Sequence, residues 1–247
     1  MNSTKVTVAV LLFVALMTAN SFAATCTNAT LNGVYGILGS GLDGSGVPAA
    51  SVTQITADGN GHLTGTTTKS IDGSIVTFAT TGTYELEKNC TGSGTLTNQD
   101  DETEHSNIFM NNGNKGAFLV QTDPNHIVSS VGYEQGAAKC TDLGVKHTYS
   151  LEATGIFTSG QLAAAGQLIL NGKGALTGTL TSSADGSISS LAVTGTYAIN
   201  SNCTGTLTFT PEGQAAINLA VVIVNAGKEL MFIETDANTV VSGTLQQ

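Results

Sequence analysis

GHLTGTTTKSIDGSIVTFATTGTYELEKNCTG, residues 61–92, is written a second time as GALTGTLTSSADGSISSLAVTGTYAINSNCTG at 174–205, with 20 of the 32 aligned positions identical at an offset of 113. Leu63, Asp72, Gly73, Tyr84, Asn89 and Cys90 reappear as Leu176, Asp185, Gly186, Tyr197, Asn202 and Cys203. Self-similarity at a fixed period marks copies of one structural unit, and what both copies keep is more readily scaffold than specialised chemistry. Outward from this stretch, Cys26 and Tyr35 align with Cys140 and Tyr149, and Thr122 and Asp123 with Thr235 and Asp236. The units therefore run over 26–135 and 140–247, with 135–139 as a short joint. Each is long enough for one small domain with its own core.

Within each unit, short runs rich in Val, Ile, Thr and Tyr are separated at close intervals by glycine turns, the pattern of an antiparallel sandwich or barrel. Strands are predicted near 32–38, 50–57, 62–70, 74–87, 92–98, 105–111, 116–122 and 126–133, and again near 147–155, 163–170, 175–183, 187–200, 204–210, 216–225, 228–235 and 239–245. Asp72-Gly73, Asp185-Gly186 and Asn171-Gly172 are hairpin turns, because Asp or Asn followed by Gly tolerates the positive φ of tight turns. Alternation puts Tyr84 and Leu86, and Tyr197 and Ile199, on one face. About eight half-buried strands per unit close most economically into a barrel, which removes exposed edges. The expected fold is all-β, two tandem antiparallel β-barrel units of about eight strands each. One barrel shared by both copies is the alternative. Residues 215–224 are apolar on both faces, which calls for cover on two sides, by the other barrel or by a partner.

Residues 1–24 carry one charge, Lys5, an apolar run over 6–17 and small residues before Ala24. They read as a secretory signal peptide rather than an anchor, the run being shorter than the ~20 residues that span a bilayer. The four cysteines, one pair per unit at matching positions, then read as disulfides of an exported chain, Cys26–Cys90 and Cys140–Cys203. Zinc is the poorer use of them, since no CxxC pair or repeated histidine supplies ligand spacing. The formal charge is −10, from 8 basic and 18 acidic residues; without Lys5 it is −11, with no arginine anywhere. Nucleic acid is excluded as a partner, because a phosphate-binding surface needs clustered cations.

"LNGVY" at 31–35 and "GHLTGTTT" at 61–68 resemble the opening strands of the avidin and lipocalin group of small barrels, a likeness that thins in the second unit, where "KHTYS" at 146–150 lacks the glycine. The resemblance implies a barrel with a mouth for a small ligand. It carries over no binding residue, because avidins line their site with tryptophans and this chain has none. The composition also resembles that of Gly/Thr-rich exported bacterial proteins.

Candidate sites divide between the copies. Tyr35, Tyr84, Tyr149 and Tyr197 are candidates to line a ligand mouth, although inward tyrosines beside a half-cystine, as Tyr84 and Tyr197 are, are more often core. Asp100, Asp101, Glu102, Glu104 and His105 form the densest acidic run, in the first copy only. They are candidate divalent-metal ligands or a solvated loop. Asp58-Gly59-Asn60-Gly61 has part of a calcium-loop pattern, but the second copy has Asn171-Gly172-Lys173-Gly174 there, which keeps a turn and discourages a cation. None of His62, His105, His126 and His147 has a histidine mate in the other copy, so no shared catalytic site is visible. Asn28, Asn89 and Asn202 fit the N-x-T glycosylation pattern. The reading is a secreted or cell-surface protein, non-catalytic and without a cofactor, that binds a small or extracellular ligand. A structural or adhesive surface protein is the alternative, and an enzyme on a barrel scaffold the third.

Overall fold

The computed structural model describes residues 25–111, 115–136, 140–157 and 160–247. The signal-peptide expectation for 1–24 and the end of the joint, 137–139, lie outside them. Two barrels close separately, each from eight consecutive antiparallel strands. The N-terminal barrel comprises β1 (Asn32–Leu42), β2 (Pro48–Asp58), β3 (His62–Ile71), β4 (Ser74–Leu86), β5 (Thr91–Thr97), β6 (Thr103–Asn111), β7 (Gly116–Gln121) and β8 (Ile127–Glu134). The C-terminal barrel comprises β9 (Thr148–Phe157), β10 (Gly160–Leu170), β11 (Ala175–Ala184), β12 (Ser187–Ile199), β13 (Thr204–Pro211), β14 (Ile217–Val224), β15 (Glu229–Glu234) and β16 (Thr239–Gln246). β1 pairs with β8 and β9 with β16, so neither sheet has an edge. Separate closure replaces the alternative of one shared barrel.

The repeated residues build the scaffold. Asp72 and Gly73 (φ 50° and 77°) and Asp185 and Gly186 (47° and 82°) make two-residue hairpins. Asn171-Gly172 also joins two strands, but as a wider loop closed by a bond from Asn171 N–H to the Ala175 carbonyl. There the Asn171 side-chain oxygen accepts from the backbone of Lys173 and Ala175, as Asp58 accepts from Asn60 and His62. Both segments are turns held by an Asx side chain. Glycines kept in both copies sit where a neighbouring strand runs too close for a side chain: a Cβ on Gly65, Gly82, Gly178 or Gly195 would collide with the carbonyl oxygen of Gln54, Thr95, Gln167 or Thr208.

The disulfides Cys26–Cys90 and Cys140–Cys203 form as expected, closing loops of 64 and 63 residues. Each ties a 3₁₀ turn across the bottom of its barrel. In the first, Asn28–Thr30, the Asn28 side chain accepts from Leu86 N–H, and Tyr84 Oη donates to the Asn28 and Leu31 carbonyls at 2.9 and 2.6 Å. In the second, Asp142–Val145, Asp142 and Tyr197 repeat the arrangement.

The doubly apolar strand is explained by the seam between the barrels. Val222 and Val224 on β14, Met231 and Ile233 on β15 and Val240 on β16 turn outward and pack against Ala50, Val52 and Leu38 of β2 and β1. The inward residues of β14, Leu219, Val221 and Ile223, belong to the C-terminal core. Gln135 is not a free linker but is buried in the seam: its N–H reaches the Val34 carbonyl and its own carbonyl accepts from Ala226. Ser70 and Gly73 bond to Thr239 and Asn238 across the same boundary.

Candidate functional site

The two interiors differ although their frames match. Among the described residues, 20 buried side chains fill the C-terminal barrel from Val145 at the bottom to Phe209 and Val193 above. The N-terminal cluster has seven, gathered at the bottom around Tyr35, Ile55, Tyr84 and Ile108. Above them lies a cavity of about 910 Å³, open between the 43–47, 98–102 and 122–126 loops, with an apolar inner recess of about 80 Å³.

Residue replacement at inward positions explains the cavity. Where the C-terminal barrel has Ala153, Ala164, Leu180, Val193, Leu207, Leu219, Phe232 and Leu245, the N-terminal barrel has Gly39, Ser51, Thr67, Thr80, Gly94, Ser106, Leu119 and Gly132. Each change removes volume, adds a hydroxyl or does both, and interiors left unfilled by side chains hold water or ligand. The polar groups form a ring half way up. Thr53 and Thr67 share a hydrogen bond of 3.0 Å, Thr80 donates to the Thr97 carbonyl, and Lys69 Nζ lies 2.6 Å from Glu104 Oε1. Lys69 and Glu104 are Ser182 and Ile217 in the filled barrel, so the ion pair belongs to the cavity alone. A charge pair inside a barrel is tolerated when paired and partly hydrated, as Glu104 is.

The candidate tyrosines separate. Tyr35 and Tyr84 line the inner recess. Burial, with Glu134 and Tyr84 beside it, pushes the Tyr35 phenol up to about 12, and burial also raises Tyr84, so both stay neutral donors. Tyr149 and Tyr197 are buried in the filled core, bonded to Gly227 and Asp142 carbonyls, and touch no cavity.

The acidic run is divided by strand parity. Asp100, Glu102 and Glu104 face the cavity mouth, while Asp101 occupies the turn at φ 62°. Asn98 organises the loop, its side-chain oxygen accepting from the backbone of Asp100 and Glu102. His105 points outward, and its Nδ1 lies 2.7 Å from Asp123 Oδ1. Burial works to raise Asp123, but bonds from the His105 backbone and ring and from Gln121 outweigh it and hold the carboxyl below its ordinary range. No group of three or more His, Cys, Asp or Glu is arranged to hold a metal ion among the described residues. His62 pairs with Asp58 on the outer surface, His126 stands at the mouth bonded to the Pro124 carbonyl, and His147 packs edge-on to Tyr149. Asn28, Asn89 and Asn202 all accept backbone hydrogen bonds with their side-chain oxygens.

Sequence reasoning missed Lys69, Thr67, Thr80, Ser106, Ser130 and Asp123 as cavity residues. The usable signal was the set of inward positions at which the copies disagree, since shared positions report only the frame.

No protein-family model matches the chain, and no curated protein sequence matches it. Among solved structures, it is similar to the isotype 1 transferrin binding protein B from serogroup B Neisseria meningitidis, at 8% identity over 87% of this chain and 75% of that one, TM-score 0.34. It is likewise similar to kievitone hydratase from Nectria haematococca, at 7% identity over 92% and 94%, TM-score 0.33. Similarity at this level carries no argument about function. Among the described residues, no helix is long and apolar enough to cross a membrane.

Proposed function

We propose that the N-terminal barrel is a non-catalytic receptor for one small amphipathic molecule, on a protein that works outside the cytoplasm. The observation that carries this reading is the contrast between twin barrels: one frame, built twice, is filled in one copy and holds a cavity of about 910 Å³ in the other. That volume falls in the range of small-molecule sites, and the site joins an apolar floor to walls and a mouth rich in Thr, Ser and charged side chains. The ligand's apolar end meets Tyr35, Ile37, Ile55 and Leu119, and its polar groups meet Lys69, Glu104, Ser106 and Ser130.

Two disulfides and the leader-like sequence at 1–24 support an oxidising location. The non-catalytic reading rests on the sequence, in which none of the four histidines has a histidine mate in the other copy. The test is fluorescence titration with the neutral apolar dye N-phenyl-1-naphthylamine. Saturable uptake of one dye per chain is expected, lost in a Gly94→Leu, Ser106→Leu variant that carries the C-terminal barrel's residues. Uptake that never saturates, or that survives in the filled variant, removes the reading.

A further inference from the structure

We propose that the outer face of β6 and β7 is the contact surface of a two-fold homodimer. The argument rests on one cross-strand row of outward residues and on what covers each part of it. In the N-terminal barrel, strand register aligns Phe109, Phe118, Val131, Leu38 and Val52 side by side across β6, β7, β8, β1 and β2. The seam with the other barrel covers Val131, Leu38 and Val52 and stops there. Phe109 and Phe118 continue the row into solvent, 45% and 56% exposed, with Val120 (42%) beside them. An apolar row that is half interface and half open is a surface continuous with an established contact.

The repeat identifies the occupant. The corresponding row of the C-terminal barrel is Val222, Met231, Thr244, Glu152 and Ala165. Its Val222–Met231 half is what docks on the first barrel. Phe109 and Phe118 thus occupy, in the first barrel, the positions that already serve as a docking surface in the second. Were the intramolecular contact repeated between molecules, they would have to cover Thr244, Glu152 and Ala165 of another copy. That would bury the Glu152 carboxylate against two phenylalanines with no cation, at a cost apolar contact does not offset. Head-to-tail growth into filaments is therefore blocked, and the matching apolar surface is a second Phe109–Phe118 face. The outward side of β6 and β7 carries Thr103, His105, Asn107, Phe109, Asn111, Gly116, Phe118 and Val120 and no acid of its own, and Asp123 at its rim is paired with His105, so two copies of charge −10 meet there without direct carboxylate repulsion at the phenylalanines. The same net charge disfavours an anionic lipid surface.

The experiment is sedimentation velocity on the oxidised protein, from low micromolar up to about 100 μM, the range in which modest interfaces associate. A monomer–dimer equilibrium that saturates at the dimer is expected. Phe109→Ser with Phe118→Ser should weaken it by at least about tenfold, as loss of central aromatic contacts does, with an unchanged thermal midpoint. Ile188→Ser, which removes an isolated apolar side chain that is 70% exposed elsewhere, should leave it intact. A wild-type monomer throughout, a dimer that survives the double substitution, mass that keeps growing with concentration, or a monomer that floats with phosphatidylcholine vesicles through these residues would each overturn the proposal.

Discussion

Gly132→Leu is expected to stabilise the protein, against the ordinary rule that a leucine forced into a closed barrel destabilises it. A Cβ built at Gly132 meets Ile37 Cγ1 at 3.3 Å, the Gly36 carbonyl at 3.6 Å and Leu119 Cδ1 at 3.9 Å, which is snug but not a backbone collision. The side chain would enter the apolar recess of about 80 Å³, where the other barrel holds the fully buried Leu245. Burying a leucine is worth about 1.5–3 kcal/mol and replacing a strand glycine a further ~0.5–1. Displacing Ile37 offsets part of this, on the order of 1 kcal/mol or more. The net is a gain of about 1–2 kcal/mol, read as an increased midpoint in urea unfolding followed by far-ultraviolet circular dichroism. Gly82→Leu, whose Cβ would strike the Thr95 carbonyl, is the contrasting control and should fail to fold or lose several kcal/mol. If Gly132→Leu were destabilising by more than ~1 kcal/mol, the recess would not be the void inferred here and the cavity argument would fail.

Phe209→Ala in the filled barrel should cost about 3–5 kcal/mol, whereas Leu96→Ala at the matching position, already facing the cavity, should cost ~1 or less; equal losses in urea unfolding would contradict the hollow–solid contrast. Burial and the neighbouring Asp236 push Glu234 up to about 7 from 4.5, so the folded state prefers its protonated form. Stability linked to it is complete below about pH 4.5 and lost as pH rises towards 7. Glu234→Gln should thus match the parent at pH 4 and exceed it at pH 8 by up to about 3 kcal/mol, and a variant no more stable than the parent at pH 8 would refute this. Replacing both Cys26 and Cys90 by Ser should lower unfolding free energy by about 2–4 kcal/mol through the 64-residue loop they close, as measured by chemical denaturation against the intact protein.

The frame was legible because it obeys short-range rules written twice. Two-residue periodicity, Asp-Gly hairpins and paired cysteines located all sixteen strands and both disulfides, and the doubly apolar β14 announced the seam. The cavity was not legible from the positions the two copies share. Whether Gly132 is a void or a site of backbone contact depends on what stands opposite across the barrel, and periodicity along one strand says nothing of that. The acidic run shows the same limit: Glu104 and His105 are adjacent in sequence, yet parity sends one towards Lys69 inside and the other towards Asp123 outside.

The seam also orders events in time. A polypeptide emerges N-terminus first, so the barrel with the emptier interior is complete before the one that covers Leu38, Ala50 and Val52 has been made. Until β14 to β16 arrive, that half-built molecule presents a greasy flank and only a thin core beneath it, and its one early brace is the Cys26–Cys90 cross-link. The second barrel thus covers an apolar flank that the first would otherwise expose, and a chain cut after residue 135 would leave Leu38, Ala50 and Val52 open to solvent.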